Sequence, residues 1–496
     1  MKKVIEEDAK LTTQPKEPGK NKWGHIVEEF RHKWGFPLAM LCFLAVWFAP
    51  NPVGLALAGK KALAIFAAIF VLYLTEAMPL GITSLAVIPM AVLTGTVKLS
   101  SALEGFAAST VYLLIGAFIL GAAMVKTNLA DRITYVILSK IGSKTRNIVY
   151  GMMAVNIVLA FLVPSATART AILIPICMGI IYAFKEGREG RSPFAVALML
   201  TNCLTNVTIS AGIMTATVAN PVTVEFIAKS EGKIISYMEW FVLGFPPALI
   251  MTVFTTWYLL RVFKPERDEL PGGQEYIMTK LKSFGPMSQD EKRTLAVFLL
   301  VVVLWVTGEW TKIDPTTACL VGVVALYLPK FGVLNWSDAN KGVSWQVALI
   351  AGGGISLGDI LMKTGAAKWL ATSIFSLLGL HGACTLVLLL VVMFICMYLH
   401  FFFVGTTAMN TALLPIVIGM AATAGLPAHV LALPAGMVIG GYAVLMFYAT
   451  NPLILVYGTG TVRMEDYPRA GVPVCAVACL VYGLCAATYW RWLGFF

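Results

Sequence analysis

Apolar residues in this chain form long, nearly uncharged runs instead of alternating or helical stripes. Runs at 36–57, 62–80, 147–163, 237–260, 294–306, 384–404 and 472–490 recur over almost the whole length. A helix needs roughly 17 to 25 such residues to cross the hydrocarbon core of a bilayer, and in lipid the backbone must satisfy its own hydrogen bonds. The pattern predicts an all-α polytopic membrane protein with about eleven crossings, plus several shorter, glycine-rich apolar pieces.

The pattern repeats within the chain. PLGITSLAVIPM from Pro79 falls on PTTACLVGVVAL from Pro315, and residues 119–130 fall on 356–367, pairing Gly121 with Gly358 and Lys126-Thr127 with Lys363-Thr364. Residues 163–176 fall on 404–416, with Thr167 over Thr407 and Pro175 over Pro415, and TVANP ending at Pro221 faces YATNP ending at Pro452. Four matches in one order indicate two related halves, a common design in transporters. The expected organisation is a basic tail over 1–35, a first repeat over 36–262, a linker over 263–293 and a second repeat over 294–496. The apolar pieces 111–127 and 347–364 are short and each is followed by a polar break, so they are expected to be re-entrant hairpins.

Polar residues interrupt the apolar runs at matching places. Ser165, Thr167 and Arg169 break one run, Thr406 and Thr407 another, and Asn220 and Asn451 precede prolines in the third pair. Broken helices at membrane depth leave N–H donors at half-helix N-termini, which carry partial positive charge and suit carboxylate oxygens. The hydroxyls and amides would add donors, and Arg169 would supply charge that the substrate's carboxylates neutralise. Each residue also has a purely structural use: hydroxyls bond to preceding carbonyls, Asn-Pro pairs kink helices, arginines snorkel to an interface, and His400 packs against a carbonyl. Glu76 and Asp359 lie in or beside apolar runs without acidic counterparts in both halves and read as helix-end or structural residues.

Composition narrows the class further. The 496 residues are 58% hydrophobic and 13% charged, with mean hydropathy +0.80, well below the charged share of a soluble domain. The net charge of +11 concentrates in the tail (Lys2, Lys3, Lys10, Lys16, Lys20, Lys22, Arg31, Lys33) and in 261–293. That distribution reads as topology with a cytoplasmic N-terminus and linker, in a bacterial inner membrane, with anionic lipid contact as a by-product. No nucleic-acid partner is implied. Nine cysteines lie singly in apolar stretches and predict no metal site, and five histidines without HExxH or Gly-x-Ser-x-Gly argue against an enzyme. No cofactor is expected. A channel would not need paired broken helices.

PSATAR at 164–169, HFFFVGTTA at 400–408 and YATNPLILVYGTGTVRMEDYPRAG at 448–471 resemble the divalent anion/sodium symporter family, in particular its bacterial citrate/tartrate/succinate exchanger branch. The resemblance implies a homodimer of subunits with eleven crossings and two re-entrant hairpins in two inverted-topology repeats. It also implies an elevator-type transporter with scaffold and transport domains, holding substrate carboxylates at a Ser-Asn-Thr motif on each hairpin tip. Carried onto this chain, the substrate-binding set is Ser165, Ala166, Thr167, Asn220, Gly405, Thr406, Thr407, Thr450 and Asn451. Ala166 replaces the first asparagine, and Gly405-Thr406-Thr407 replaces the second motif, which removes amide oxygens that a hard cation would use. Arg169 and His400 fall where the sodium-independent members resemble carriers of a fixed positive charge. The implied function is sodium-independent exchange of di- or tricarboxylates such as 2-oxoglutarate, malate or succinate; the alternative is a sodium-coupled symporter of the same family.

Overall fold

The computed structural model describes residues 22–142, 144–185, 191–269 and 273–495, without the side chains of 22–30, 32, 183–185 and 273. The first basic residues of the tail, Lys2 to Lys20, lie outside the described residues. Those described are helical or in turns, with no strand beyond an isolated Lys144–Glu269 bridge. In chain order the first half contains α1 (Lys22–Phe48), α2 (Leu57–Thr75), α3 (Leu80–Leu93), α4 (Ser109–Lys126), α5 (Leu129–Ser139), α6 (Thr145–Leu162), α7 (Ala166–Lys185), α8 (Pro193–Ser210), α9 (Ala219–Glu231) and α10 (Tyr237–Val262). After the connecting α11 (Gly273–Ser283), the second half contains α12 (Gln289–Val306), α13 (Pro315–Ala325), α14 (Trp336–Gly342), α15 (Trp345–Lys363), α16 (Ala366–Leu377), α17 (Thr385–Tyr398), α18 (Thr406–Thr423), α19 (Ala428–Gly441), α20 (Asn451–Gly458) and α21 (Asp466–Ala487).

Among the described residues eight helices are long and apolar enough to cross a membrane. Two of them, α6 and α18, belong with α7 and α17 to re-entrant hairpins. The other six are joined by the shorter apolar helices α1, α3, α13 and α19, and by α12 with its apolar stretch 295–306. With α8/α9 and α19/α20 each counted as one interrupted passage, the crossings are α1 to α4, α8/α9, α10, α12, α13, α15, α19/α20 and α21. That makes eleven.

The re-entrant hairpins are not where the apolar pattern placed them. Segments 111–127 and 347–364 lie in α4 and α15, continuous helices of 18 and 19 residues that can span. Their glycines pack instead of breaking the helix: a Cβ on Gly353 would lie 2.3 Å from Ser84 O, and one on Gly354 would lie 2.3 Å from Thr411 Cβ. The polar breaks that follow lead into the amphipathic helices α5 and α16. The hairpins are the next pairs, α6/α7 and α17/α18. Thr145, at the start of α6, donates its N–H to Asp268 O at 2.9 Å and its hydroxyl to Arg267 O at 2.7 Å. Gly179, near the end of α7, sits so close to Tyr276 that a Cβ would be 2.0 Å from its hydroxyl. Both limbs therefore begin and end on the side of the 263–288 connector, with residues 163–165 at the inner turn.

The second hairpin opens the other way. Thr423, at the end of α18, shares a 3.1 Å hydroxyl bond with Thr372 of α16, and Trp369 of α16 donates to Val53 O at 3.2 Å in the α1–α2 turn. That turn lies across the membrane from the end of α2, where Arg31 donates to Thr75 O and Leu74 O, both at 3.1 Å. The sequence-matched halves are thus inverted relative to each other. Local chemistry sets both turns. Pro164 has no N–H to continue a helix, and Gly405 adopts φ +97, a conformation a side chain resists.

Candidate functional site

The two hairpin tips and the two interrupted crossings meet around one cavity of about 800 Å³. Ser165, Ala166 and Thr167 line it from the first tip, Gly405, Thr406 and Thr407 from the second, and Thr450 and Asn451 from the α19–α20 break. Thr217 and Val218 add the α8–α9 break. The helices that begin here are α7, α9, α18 and α20, so four half-helix N-termini converge on one space. Each presents unpaired N–H groups and partial positive charge. Ser165 already accepts from Ala168 N at 3.2 Å, capping α7. The lining of Ser165, Thr167, Thr217, Thr406, Thr407, Thr450 and Asn451 supplies hydroxyl and amide groups suited to carboxylate oxygens. Glu76, Lys126, Asp338 and Lys341 also line the cavity, toward its mouth on the connector side. Lys126 and Asp338 are paired there at 2.5 Å.

Three residues of the expected set, the charge-compensating Arg169 and His400 and the substrate-binding Asn220, stand behind this wall. Arg169 is fully buried and is not among the lining residues. Its Nε donates to Asn206 Oδ1 at 2.6 Å, Nη1 to Val163 O at 2.5 Å, and Nη2 to Ser210 Oγ at 2.6 Å and Ala216 O at 3.3 Å. Val163 O and Ser210 belong to the C-terminal ends of α6 and α8, where helix dipoles are negative. The guanidinium is therefore satisfied by oxygen dipoles of the protein, and it does not contact the substrate space as its sequence position led us to expect. His400 is also fully buried, with Nδ1 3.1 Å from Cys396 O and 3.2 Å from Met397 O, and Nε2 3.1 Å from Ile439 O. These carbonyls end α17 and α19, so His400 holds in the second half the place Arg169 holds in the first. Asn220 straps the α8–α9 break by donating to Ser210 O at 2.7 Å and Ile213 O at 2.9 Å. Its mirror residue Asn451 is exposed to the cavity.

Sequence reading missed Asn206 and Ser210, the side-chain partners of Arg169. Their signal was present: Asn202 and Asn206 stand one turn apart in an otherwise apolar helix, and amides at that depth require partners. It also missed Thr217, Gln346 and the charged rim of Lys126, Asp338 and Lys341. The rim comes from α4 and from the α14 region, which only the fold brings together.

Comparison with known proteins places this geometry. Residues 31–496 match the family described as the sodium:sulfate symporter transmembrane region. The chain belongs to that family. This bears out the divalent anion/sodium symporter resemblance and makes the protein a membrane transporter and not an enzyme. It is similar to a membrane protein of Cupriavidus necator, 37% identical over 485 residues covering 93% of each chain. An L-tartrate/succinate antiporter of Escherichia coli K12 is 29% identical, covering 88% of this chain and 93% of the relative. The sodium-dependent dicarboxylate transporter SdcS of Staphylococcus saprophyticus is 28% identical, covering 88% and 87%. Antiporters and sodium-dependent carriers thus both occur among its relatives.

Proposed function

We propose that the protein is a sodium-independent dicarboxylate exchanger. The observation that supports this reading best is the occupancy of the two carbonyl clusters behind the tips by Arg169 and His400. Sodium is a hard cation that needs several oxygen ligands, and in each half the oxygens best placed to supply them already accept from a protein cation or ring. The His400 ring fills the space among the carbonyls of Cys396, Met397 and Ile439, and the proton it carries serves whichever of them faces its N–H. The fixed positive charge of Arg169 then stands behind four helix N-termini, facing a dianion in front. Ser165, Thr167, Thr406, Thr407, Thr450 and Asn451 bind the carboxylates, with Ala166 and Gly405 leaving room at the tips.

Exchange follows from charge. We propose that α6–α10 and α17–α21 move as one body against a scaffold of α2–α5 and α12–α16, in the manner of an elevator. Moving that body while empty carries the Arg169 charge through the membrane interior with no anion beside it, at a cost of several kcal/mol. Moving it loaded carries that charge together with the dianion that offsets it. The tail and the 263–293 linker are proposed to face the cytoplasm of a bacterial inner membrane, supported by their Lys and Arg content, with repeats over 36–262 and 294–496 and a homodimeric assembly. The test is uptake of labelled succinate into proteoliposomes in sodium-free buffer, with and without internal dicarboxylate. Uptake that requires internal dicarboxylate is the expected result. Uptake that requires external sodium and ignores internal substrate would establish sodium-coupled symport instead.

A further inference from the structure

The two sides of the cavity are sealed unequally. Away from the connector, Gly358 of α15 packs so tightly on Phe226 of α9 that a Cβ there would lie 2.3 Å from the ring. Beside this contact, Lys229 of α9 forms an ion pair with buried Asp359 of α15, and Glu225 stands 4.0 Å from Lys229. Thr110 of α4 donates to Glu225 Oε2 at 3.0 Å and to Pro221 O at 3.3 Å. Apart from the Glu225–Lys229 contact within α9, these contacts join the proposed moving body to the scaffold. On the connector side the register of the repeat pairs Gly358 with Gly121, Asp359 with Ala122 and Thr110 with Val347. It pairs Glu225, Phe226 and Lys229 with Val456, Tyr457 and Gly460. Gly121, Ala122 and Val347 line the open cavity, and a Cβ on Gly121 would meet only Val163, at 3.9 Å. Tyr457 stacks instead on Phe447, with ring centroids 4.2 Å apart.

From this inequality we infer that Gly121 is the unused half of a second seal. In the alternate state Tyr457 closes on Gly121 as Phe226 now closes on Gly358, and that seal has no ion pair. The register puts alanine and glycine where the present seal has Asp359 and Lys229. An ion pair formed on one side only lowers the free energy of one orientation. It therefore sets which face of the membrane the site rests toward, here the connector side. The inference rests on the moving-body reading above and assigns the residues at which that body docks.

Two cysteine pairs in a cysteine-free background that retains exchange test it. Thr110→Cys with Glu225→Cys reports the present seal, and Val347→Cys with Val456→Cys reports the mirror seal. Both pairs should form disulfides under mild oxidation during exchange, each should stop succinate exchange in proteoliposomes, and reduction should restore it. Asp359→Asn added to the second pair should raise its disulfide yield about tenfold, the ratio that about 1.4 kcal/mol supplies. Asp290→Asn should not, because Asp290 pairs with Arg293 within α12 of the scaffold. Failure of the 347–456 disulfide beside a formed 110–225 disulfide and intact exchange would overturn the mirror seal alone. An unchanged yield with Asp359→Asn would overturn the ionic bias. If both disulfides form and exchange continues undiminished, the moving-body reading itself fails.

Discussion

Arg169→Ala removes a fully buried guanidinium and leaves Asn206 Oδ1 and Ala216 O without the partner they now have, while Val163 O keeps the N–H of Ser165 at 2.8 Å. A buried acceptor left unpaired costs about 1–3 kcal/mol, so two together cost at least about 2 kcal/mol. Ser210 Oγ adds less, because it also donates to Asn206 O at 2.7 Å. Against a typical stability of about 5–15 kcal/mol, the loss should lower the melting temperature of the detergent-solubilised protein by several degrees. The same truncation leaves four oxygens around a vacated positive site: Asn206 Oδ1, Val163 O, Ala216 O and Ser210 Oγ. That is a hard donor set of the kind sodium takes. Sodium chloride should therefore raise the melting temperature of the variant more than choline chloride at equal ionic strength, and should leave the parent protein unaffected. Arg169→Lys, with one compact charge in place of a five-donor fork, should fall between them. A variant with unchanged melting temperature and unchanged succinate exchange would refute the claim that Arg169 holds the two half-helix ends together. A salt response without preference for sodium would refute the reading of those oxygens as a filled cation position.

The remaining predictions separate the wall of the cavity from its backing. Thr167→Val and Thr407→Val each remove one hydroxyl donor facing the cavity and should raise the half-saturating succinate concentration about tenfold with little change in melting temperature, a loss of about 1.4 kcal/mol per hydrogen bond. Asn220→Ala should do the reverse, lowering the melting temperature through the loss of its bonds to Ser210 O and Ile213 O while leaving half-saturation nearly unchanged. Equal effects on binding would place Asn220 back at the substrate. Gly405→Ala has open space for its methyl group but must adopt φ +97 with ψ +134, at about 1–3 kcal/mol of backbone strain. It should weaken dicarboxylate binding by moving the N-terminus of α18, measured by calorimetric titration; affinity equal to the parent's would show that the tip does not depend on that backbone.

Much of this protein was legible before any coordinates. The long apolar runs determined the class, because an uncharged stretch of that length has only one stable environment. The repeat matched residues that occupy equivalent places: Thr167 and Thr407 line one cavity, and the two Asn-Pro pairs sit at the two interrupted crossings. What the sequence could not determine was which segments fold back and which way each side chain turns. The glycine-rich stretches around Gly116 and Gly353 look like weak points in a helix, yet the small surfaces of these two residues are what let neighbouring helices approach. Asn220 and Asn451 are equivalent in the repeat but face opposite ways, since one is wrapped by the end of α8 and the other opens onto the cavity. Arg169 was readable as a charge needing an opposing group, and its position three residues into α7 was known. Only tertiary packing brought the ends of α6 and α8 to its guanidinium, so that backbone and side-chain oxygens of the protein oppose its charge directly.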